Sequence, residues 1–153
     1  MSRSVELADA IAAKINESSG DFPIKFVAER RWAPLTETEL ESANIASVLV
    51  FPGSIKSDRV TRRSHQKSYL PIVAVQKHLR ATSDSDADQE LQELHQLVEQ
   101  IQDALTDADF TFDDWSASFV GFEQEQYAEV YNAEAMQSFN FFASATELEY
   151  TSG

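Results

Sequence analysis

The sequence predicts an α+β fold with one domain over residues 1–153, in which two main helices pack on one face of a mostly antiparallel β-sheet. Two β-rich apolar segments, residues 46–51 and 69–75, flank a polar connection, which is typical of a long hairpin. A single apolar stripe at helical spacing, residues 91–105, predicts a helix that packs on the sheet. The alternating tract that ends at Tyr150 favours a long terminal strand.

The N-terminal part supplies a helix and a strand. Ser4 is a suitable N-cap for a helix that fades at residues 18–20, where glycine favours a C-terminal cap. Residues 24–32 alternate between apolar and charged side chains and predict a strand. Residues 35–45 are polar and predict a linker with room for one helical turn after Thr36.

The C-terminal part contributes a second helix and further strands. The predicted elements are a helix over residues 87–105, a short strand at residues 110–112, a strand over 115–122, a loop over 124–137 and a final strand over 138–150. Asp113 and Asp114 are consecutive, so on a strand their side chains would point to opposite sides. Together with the first helix, this order of elements indicates a sheet covered by helices on one face.

Charge is distributed unevenly along the chain. The net charge is −14, yet residues 1–80 carry +3 and residues 81–153, which lack Lys and Arg altogether, carry −17. Such asymmetry suggests a molecule with opposed faces, whose copies associate head to tail. The simpler alternative is that the acidic residues only keep the protein dispersed. No window reaches the ~18 apolar residues of a membrane span, and the absence of cysteine fits assembly inside a cell.

Residues 54–68 are predicted to form the tip of the hairpin and to project from the sheet as a basic arm. Its five cations are Lys56, Arg59, Arg62, Arg63 and Lys67. Nucleic-acid phosphates could bind these cations. However, the arm has no interleaved aromatic residues for base stacking, and the rest of the chain carries −18. A protein partner with an acidic surface is therefore favoured, and an exposed loop without a partner is the remaining alternative.

No constellation in the sequence indicates catalysis or a cofactor. The stretch that contains Asp84, Asp86 and Asp88 begins like a calcium loop, but the required Gly and Glu positions hold Gln89 and His95. These aspartates are therefore predicted to cap the following helix. The three histidines lack ligand-like spacing, and glycine-rich phosphate loops and cysteine nucleophiles are absent. The sequence thus predicts a protein that is not an enzyme, without a metal or cofactor.

Several features of the chain, taken in order, resemble a known family. They are the 24–32 strand with Arg30-Arg31, the segment Val48-Leu49-Val50-Phe51-Pro52-Gly53, its arginine-bearing return through residues 69–75, the 91–105 helix, and Phe-x-Phe-Phe-x-Ser-x-Thr-x-Leu-x-Tyr over 139–150. This pattern covers most of the chain and resembles the tail terminator or tail-completion (neck) proteins of tailed bacteriophages. These are small α+β proteins that cap the tail tube.

The resemblance implies a structural virion protein, assembled in the host cytoplasm, that forms a hexameric ring. Such a ring stops tail-tube polymerisation and docks to the head–neck complex. The implied partners are other copies of the chain, the tail tube protein, a sheath in some tails and a head-side connector, with no membrane. DNA would pass through the ring without sequence-specific binding.

Charge alone then suggests which residues hold the ring together. The five cations of the arm would contact acidic residues of a neighbouring subunit, for which the candidates are Asp84, Asp86, Asp88, Asp113, Asp114, Glu123 and Glu125. Two other functions stay open. One is a different head–tail connector or neck protein, and the other is an acidic inhibitor that mimics DNA.

Overall fold

The structure, a computed structural model, describes residues 2–22, 24–42, 45–59, 65–79, 84–122 and 141–152. Its elements are α1 (Arg3–Glu17), β1 (Phe26–Arg30), α2 (Glu37–Ser42), β2 (Ala46–Arg59), β3 (His65–His78), α3 (Asp84–Leu105), β4 (Phe110–Thr111), β5 (Ser116–Phe122) and β6 (Phe141–Ser152). The predicted loop over 124–137 lies outside the described residues, as do residues 138–140 of the predicted last strand.

The six strands form one sheet in the order β1-β2-β3-β6-β5-β4. Only β1 and β2 pair in parallel, because the chain crosses over between them through α2; every other pair is antiparallel. Helix α1 contacts β1, β2 and β3, helix α3 contacts β6, and the two helices contact each other. The predicted α+β class, with a mainly antiparallel sheet and two main helices, is confirmed.

The core lies between the two long helices and the sheet face that they cover. Its largest buried aliphatic and aromatic side chains are Leu7, Ile11 and Ile15 of α1, Val48 and Val50 of β2, Leu94, Leu97 and Leu105 of α3, and Phe142, Leu148 and Tyr150 of β6. Alternate residues of the central strands belong to this face, as the period of a strand requires. The apolar stripe of α3 therefore packs as the sequence predicted.

Both long helices begin before their predicted first residue. Ser4 was predicted as the N-cap of α1, but it lies inside the helix and is buried, and the N-cap is Ser2, without a side-chain cap bond. Burial of the helix face that starts at Ser4 outweighs the capping preference of its hydroxyl. Helix α3 begins at Asp84, so its aspartates lie within the first turns, where negative charge is also favourable.

The helical turn predicted after Thr36 is confirmed as α2, and a capping box explains where it begins. Glu39 N–H donates to Thr36 Oγ1 (3.2 Å), and Glu39 Oε1 accepts from the Thr36 backbone N–H (3.3 Å). Arg31 Nη1 also donates to Glu39 Oε2 (3.0 Å). The bond from Arg31, followed by the bonds from Thr36, lowers the pKa of Glu39. This network ties α2 to the end of β1.

Asn16, near the end of α1, protects the open edge of β1. Its Nδ2 donates to the carbonyl oxygen of Ala28 (2.8 Å), and its Oδ1 accepts from the Ala28 N–H (3.0 Å). Arg31 N–H donates to Val50 O (3.0 Å) towards β2, so the groups of Ala28, three residues earlier, point to the other side. The amide of Asn16 thus mimics a neighbouring strand at an edge where another chain could otherwise pair.

Replacing Asn16 with alanine should lower the free energy of unfolding by about 1–2 kcal/mol, because the backbone N–H and carbonyl of Ala28 lose their hydrogen-bond partners. Thermal denaturation measures this loss, and hydrogen exchange at the Ala28 amide should become faster. Glu17→Ala changes an exposed neighbour on the same helix and is the matched control. Equal stability of the Asn16 and Glu17 variants would show that the clamp does not stabilise the fold.

Tyr150 is a fully buried aromatic residue in the part of the sheet formed by β4, β5 and β6. Its ring contacts those of Phe110 and Phe119, with centroids 5.8 and 5.6 Å away. Among the described residues, its hydroxyl has no hydrogen-bond partner. Burial, and to a lesser degree the negative charge of Asp109, raises the pKa of Tyr150. The folded protein therefore holds this proton at pH values where the unfolded chain releases it.

We expect Tyr150→Phe to match or exceed the natural chain in stability at pH 7, because it removes a buried hydroxyl without a partner. Because the folded chain binds the Tyr150 proton more tightly than the unfolded chain, the free energy of unfolding is independent of this group below pH ~10 and falls as the pH rises further. Between pH 10 and 11 the natural chain should lose up to about 1.4 kcal/mol more than the variant. Denaturant unfolding at both pH values measures this, and parallel losses would contradict it.

Candidate interaction surface

The hairpin of β2 and β3 is the feature from which an interaction surface can be built. Their pairing continues from Ser47↔Gln76 to Arg59↔His65. Strand β1 pairs with β2 only as far as Val50, and β6 pairs with β3 only as far as Ser68. We call residues 54–59 and 65–68 the ribbon; in the described part of the chain, its last three residue pairs have no third strand beside them. Its tip, residues 60–64, is outside the described residues, so the predicted projection of the arm stays a prediction.

A bulge at Pro52-Gly53 sets the direction of this ribbon. The register of β2 against β3 shifts between Phe51 and Ser54, which is the effect of one extra residue in β2. Gly53 has φ +68°, and a Cβ at this position would overlap the carbonyl oxygen of Leu70. Only glycine meets both conditions without strain. The Pro-Gly pair therefore has a structural role that places the basic residues beyond it.

Three of the five predicted basic residues lie within β2 and β3. Lys56 and Lys67 are exposed, and Lys56 Nζ lies 3.7 Å from Glu149 Oε1 of β6. Arg59 is the last residue of β2, and its side chain is not among those described. Arg62 and Arg63 lie outside the described residues. The ribbon also presents an apolar side chain, Ile55, which is 55% exposed.

The predicted acidic partners are spread over two places. Asp84 and Asp86 belong to the first turns of α3, where the structure describes their backbone alone, and Asp88 accepts a hydrogen bond from Gln92 Nε2 (2.6 Å). Glu123 and Glu125 lie outside the described residues. None of the described acidic candidates contacts a cation of the ribbon within the chain.

Asp113 and Asp114 do not lie on a strand, so the prediction that they point to opposite sides of one is wrong. They form the turn between β4 and β5, which Phe112 N–H closes on Trp115 O (2.8 Å) and the stacked rings of Phe112 and Trp115 support (4.6 Å). The connection from Phe112 to Trp115 has four residues, a length that suits a hairpin turn between two strands better than one continuous strand. Both carboxylates are exposed.

The Asp113–Asp114 turn and the basic ribbon lie at the same end of the sheet. The register connects Ser68 of β3 to Thr151 of β6 and Thr151 to Ser118 of β5. Strands are about 4.8 Å apart, so the turn lies on the order of 10 Å from the ribbon across the sheet. This separation exceeds the length of an ion pair. The surface thus has a basic part at its centre and an acidic part at its edge, which remain separate within one chain.

Sequence reasoning missed Glu149, the residue that contacts Lys56. The alternation of the last strand was interpreted through its apolar residues, although Glu147 and Glu149 share the parity of Ala143 and Ala145. That parity could have indicated an acidic row on one face of β6. The ion pair itself required the pairing of β6 with β3, which the local sequence does not specify.

The described residues contain neither a metal-binding cluster nor a membrane-spanning helix. Those residues bring no three His, Asp or Glu side chains together in a way that could hold a metal ion. None of the helices in the described ranges has the length and apolar character that crossing a membrane requires. Compared with known proteins, the chain matches no family model, and no curated protein is similar to it.

Proposed function

We propose that this chain is a structural protein of a tailed bacteriophage, a tail terminator that forms a ring on the end of the tail tube. The ring would end tube polymerisation and join the tail to the head–neck complex. The observation that carries the proposal is the β2–β3 ribbon. Its last three residue pairs extend beyond the neighbouring strands, with Lys67 exposed among them and Lys56 exposed at their base, on a chain that is otherwise strongly acidic.

Electrostatics explains how such a chain would assemble. Residues 54–68 contain five cations and one carboxylate, for +4, while the remaining residues carry −18. Acidic bodies repel one another unless the ribbon of one copy lies against an acidic surface of the next. That contact is heterologous, and repetition with a suitable rotation closes a ring. Acidic side chains around the opening would repel the DNA backbone, so DNA would pass without binding.

The family resemblance supports a place at the end of the tail tube. In that role the partners would be the tail tube protein, a sheath where the tail has one, and a connector on the head side. Another neck or connector protein would also use a ring and a charged ribbon. Because these alternatives share the assembly, ring formation is the first property to test and tube capping is the second.

A DNA-mimic inhibitor is the alternative from another class. The observation that favours it is the absence of Lys and Arg from residues 81–153, which carry −17. Clustered carboxylates can copy a phosphate track, whereas a mimic gains nothing from a basic ribbon. Competition with DNA for a general DNA-binding enzyme distinguishes the two, since the proposed terminator should not compete.

Light scattering and negative-stain microscopy of the purified protein, over a range of protein and salt concentrations, test ring formation. We expect closed rings at low salt and dissociation as salt screens the charged contacts. A chain that is monomeric under all conditions, and also in the presence of tail tubes, would contradict the proposal.

A further inference from the structure

The sheet face that points away from the two long helices contains an apolar groove. Its volume is about 190 Å³, and its lining includes Pro34, Phe51, Ala74, Gln76, Ala143 and Ala145. Ala74 pairs directly with Ala145, and these small side chains leave the depression. At one side, the N–H of Leu35 donates to Gln76 Oε1 (3.3 Å) and holds Pro34 as a wall.

The ribbon carries an apolar side chain that the described part of its own chain leaves largely uncovered. Ile55 is 55% exposed and is paired with Tyr69, which is buried on the helix side of the sheet. Cross-strand partners point to the same face, so Ile55 points to the helix side and the groove lies on the opposite side. Ile55 therefore cannot enter the groove of its own chain, and a second copy is required to bring them together.

The charges around the two features are complementary. Glu147 and Glu149 continue the row of Ala143 and Ala145 on the same face of β6, so the groove has an acidic rim. Lys67, which is paired with Ser57, shares the face of Ile55, whereas Lys56 points to the opposite face and contacts Glu149 of its own chain. An apolar side chain with a lysine on the same face thus matches an apolar groove with carboxylates at its rim.

We propose that Ile55 of one copy inserts into the groove over Ala74, Ala143 and Ala145 of a neighbouring copy, with Lys67 of the ribbon against the acidic rim. This inference rests on the proposed function, because it names the contact that would hold the ring. The two surfaces differ, so each copy gives its ribbon to one neighbour and its groove to the other. Repetition of this contact propagates in one direction, as a closed ring requires.

Disulfide cross-linking tests the contact directly, because the natural chain has no cysteine. The double variant Ile55→Cys, Ala145→Cys should form a covalent ladder under mild oxidation, ending at the size of the ring. Single variants should give dimers at most. The control pair Val27→Cys, Ala145→Cys replaces an equally exposed residue of β1 (54% exposed) and should not form a ladder.

Ile55→Ser provides a second readout that does not depend on oxidation. Loss of a buried isoleucine contact should weaken association by about 10- to 100-fold, whereas Val27→Ser should leave it unchanged. Rings of normal mass together with no ladder would overturn the inference and leave the proposed function intact. No assembly of the natural chain, with or without tail tubes, would overturn both.

The accessibility of the groove gives a third outcome. Ala145→Cys, in conditions where the protein is dissociated, should react with a thiol reagent and become protected on assembly. A thiol that is already unreactive in the dissociated chain would show that the chain's own residues cover the groove, and the inference would be wrong.

Discussion

Replacing Lys56 and Lys67 with glutamate should abolish assembly of the proposed ring. The change converts the ribbon segment 54–68 from +4 to neutral and places carboxylates against an acidic neighbour, where like charges cost several kcal/mol. We expect association to weaken by at least about 100-fold, measured by sedimentation or light scattering at low salt. The fold should remain, since Lys67 is exposed and the ion pair between Lys56 and Glu149 is partly solvated.

The matched control replaces Lys14 and Lys25 with glutamate. This variant has the same net charge, but both lysines lie outside the hairpin. If position rather than total charge determines assembly, the control should form rings with at most a modest loss of affinity. Equal loss in both variants would show that overall repulsion is responsible, and normal rings in the ribbon variant would contradict the role of the ribbon.

Gly53→Ala should destabilise the protein strongly, although Gly53 is exposed. Alanine at φ +68° adopts a left-handed conformation that costs about 1–2 kcal/mol. Overlap of its Cβ with the carbonyl of Leu70 adds about 1–3 kcal/mol through displaced backbone. For a chain of 153 residues the midpoint of thermal unfolding should fall by about 5–15 °C. The bulge should also straighten, which would redirect the ribbon and weaken assembly.

Gly20→Ala is the control for this substitution. A Cβ at Gly20 meets no described atom within 4 Å, and its φ is not in the left-handed range. Its stability should be unchanged or slightly higher, because alanine restricts the unfolded chain. If Gly53→Ala and Gly20→Ala unfold at the same midpoint temperature, the bulge imposes no conformational requirement on residue 53.

Local patterns were sufficient to predict the fold class. The apolar stripe of α3 and the alternation of β2, β3 and β6 follow from the periods of helices and strands. The turn after Thr36 follows from a capping box. The parallel pairing of β1 with β2 and the central position of β6 involve residues far apart in sequence, and no local signal specifies such partners.

The candidate surface was predictable in part for the same reason. The basic segment is visible as a run of charge, and the hairpin pairs Lys56 with Ser68 and Lys67 with Ser57. The contact of Lys56 with Glu149 requires β6 to lie beside β3, and the groove requires Ala74 of β3 to pair with Ala145 of β6. Asp113 and Asp114 lie between the predicted strands 110–112 and 115–122, as they do between β4 and β5, but the prediction of their side-chain directions assumed a strand instead of a hairpin turn.

The most direct measurement of the central claim is the length of tail tubes polymerised with and without this protein. Under the proposed function, tube protein of the phage that encodes the chain would be assembled to completion, and tube lengths and ends would be scored by negative-stain microscopy. The proposed terminator predicts shorter tubes as its concentration rises, with one ring at one end of each tube. Tubes that keep their length, with the protein absent from both ends, would contradict it.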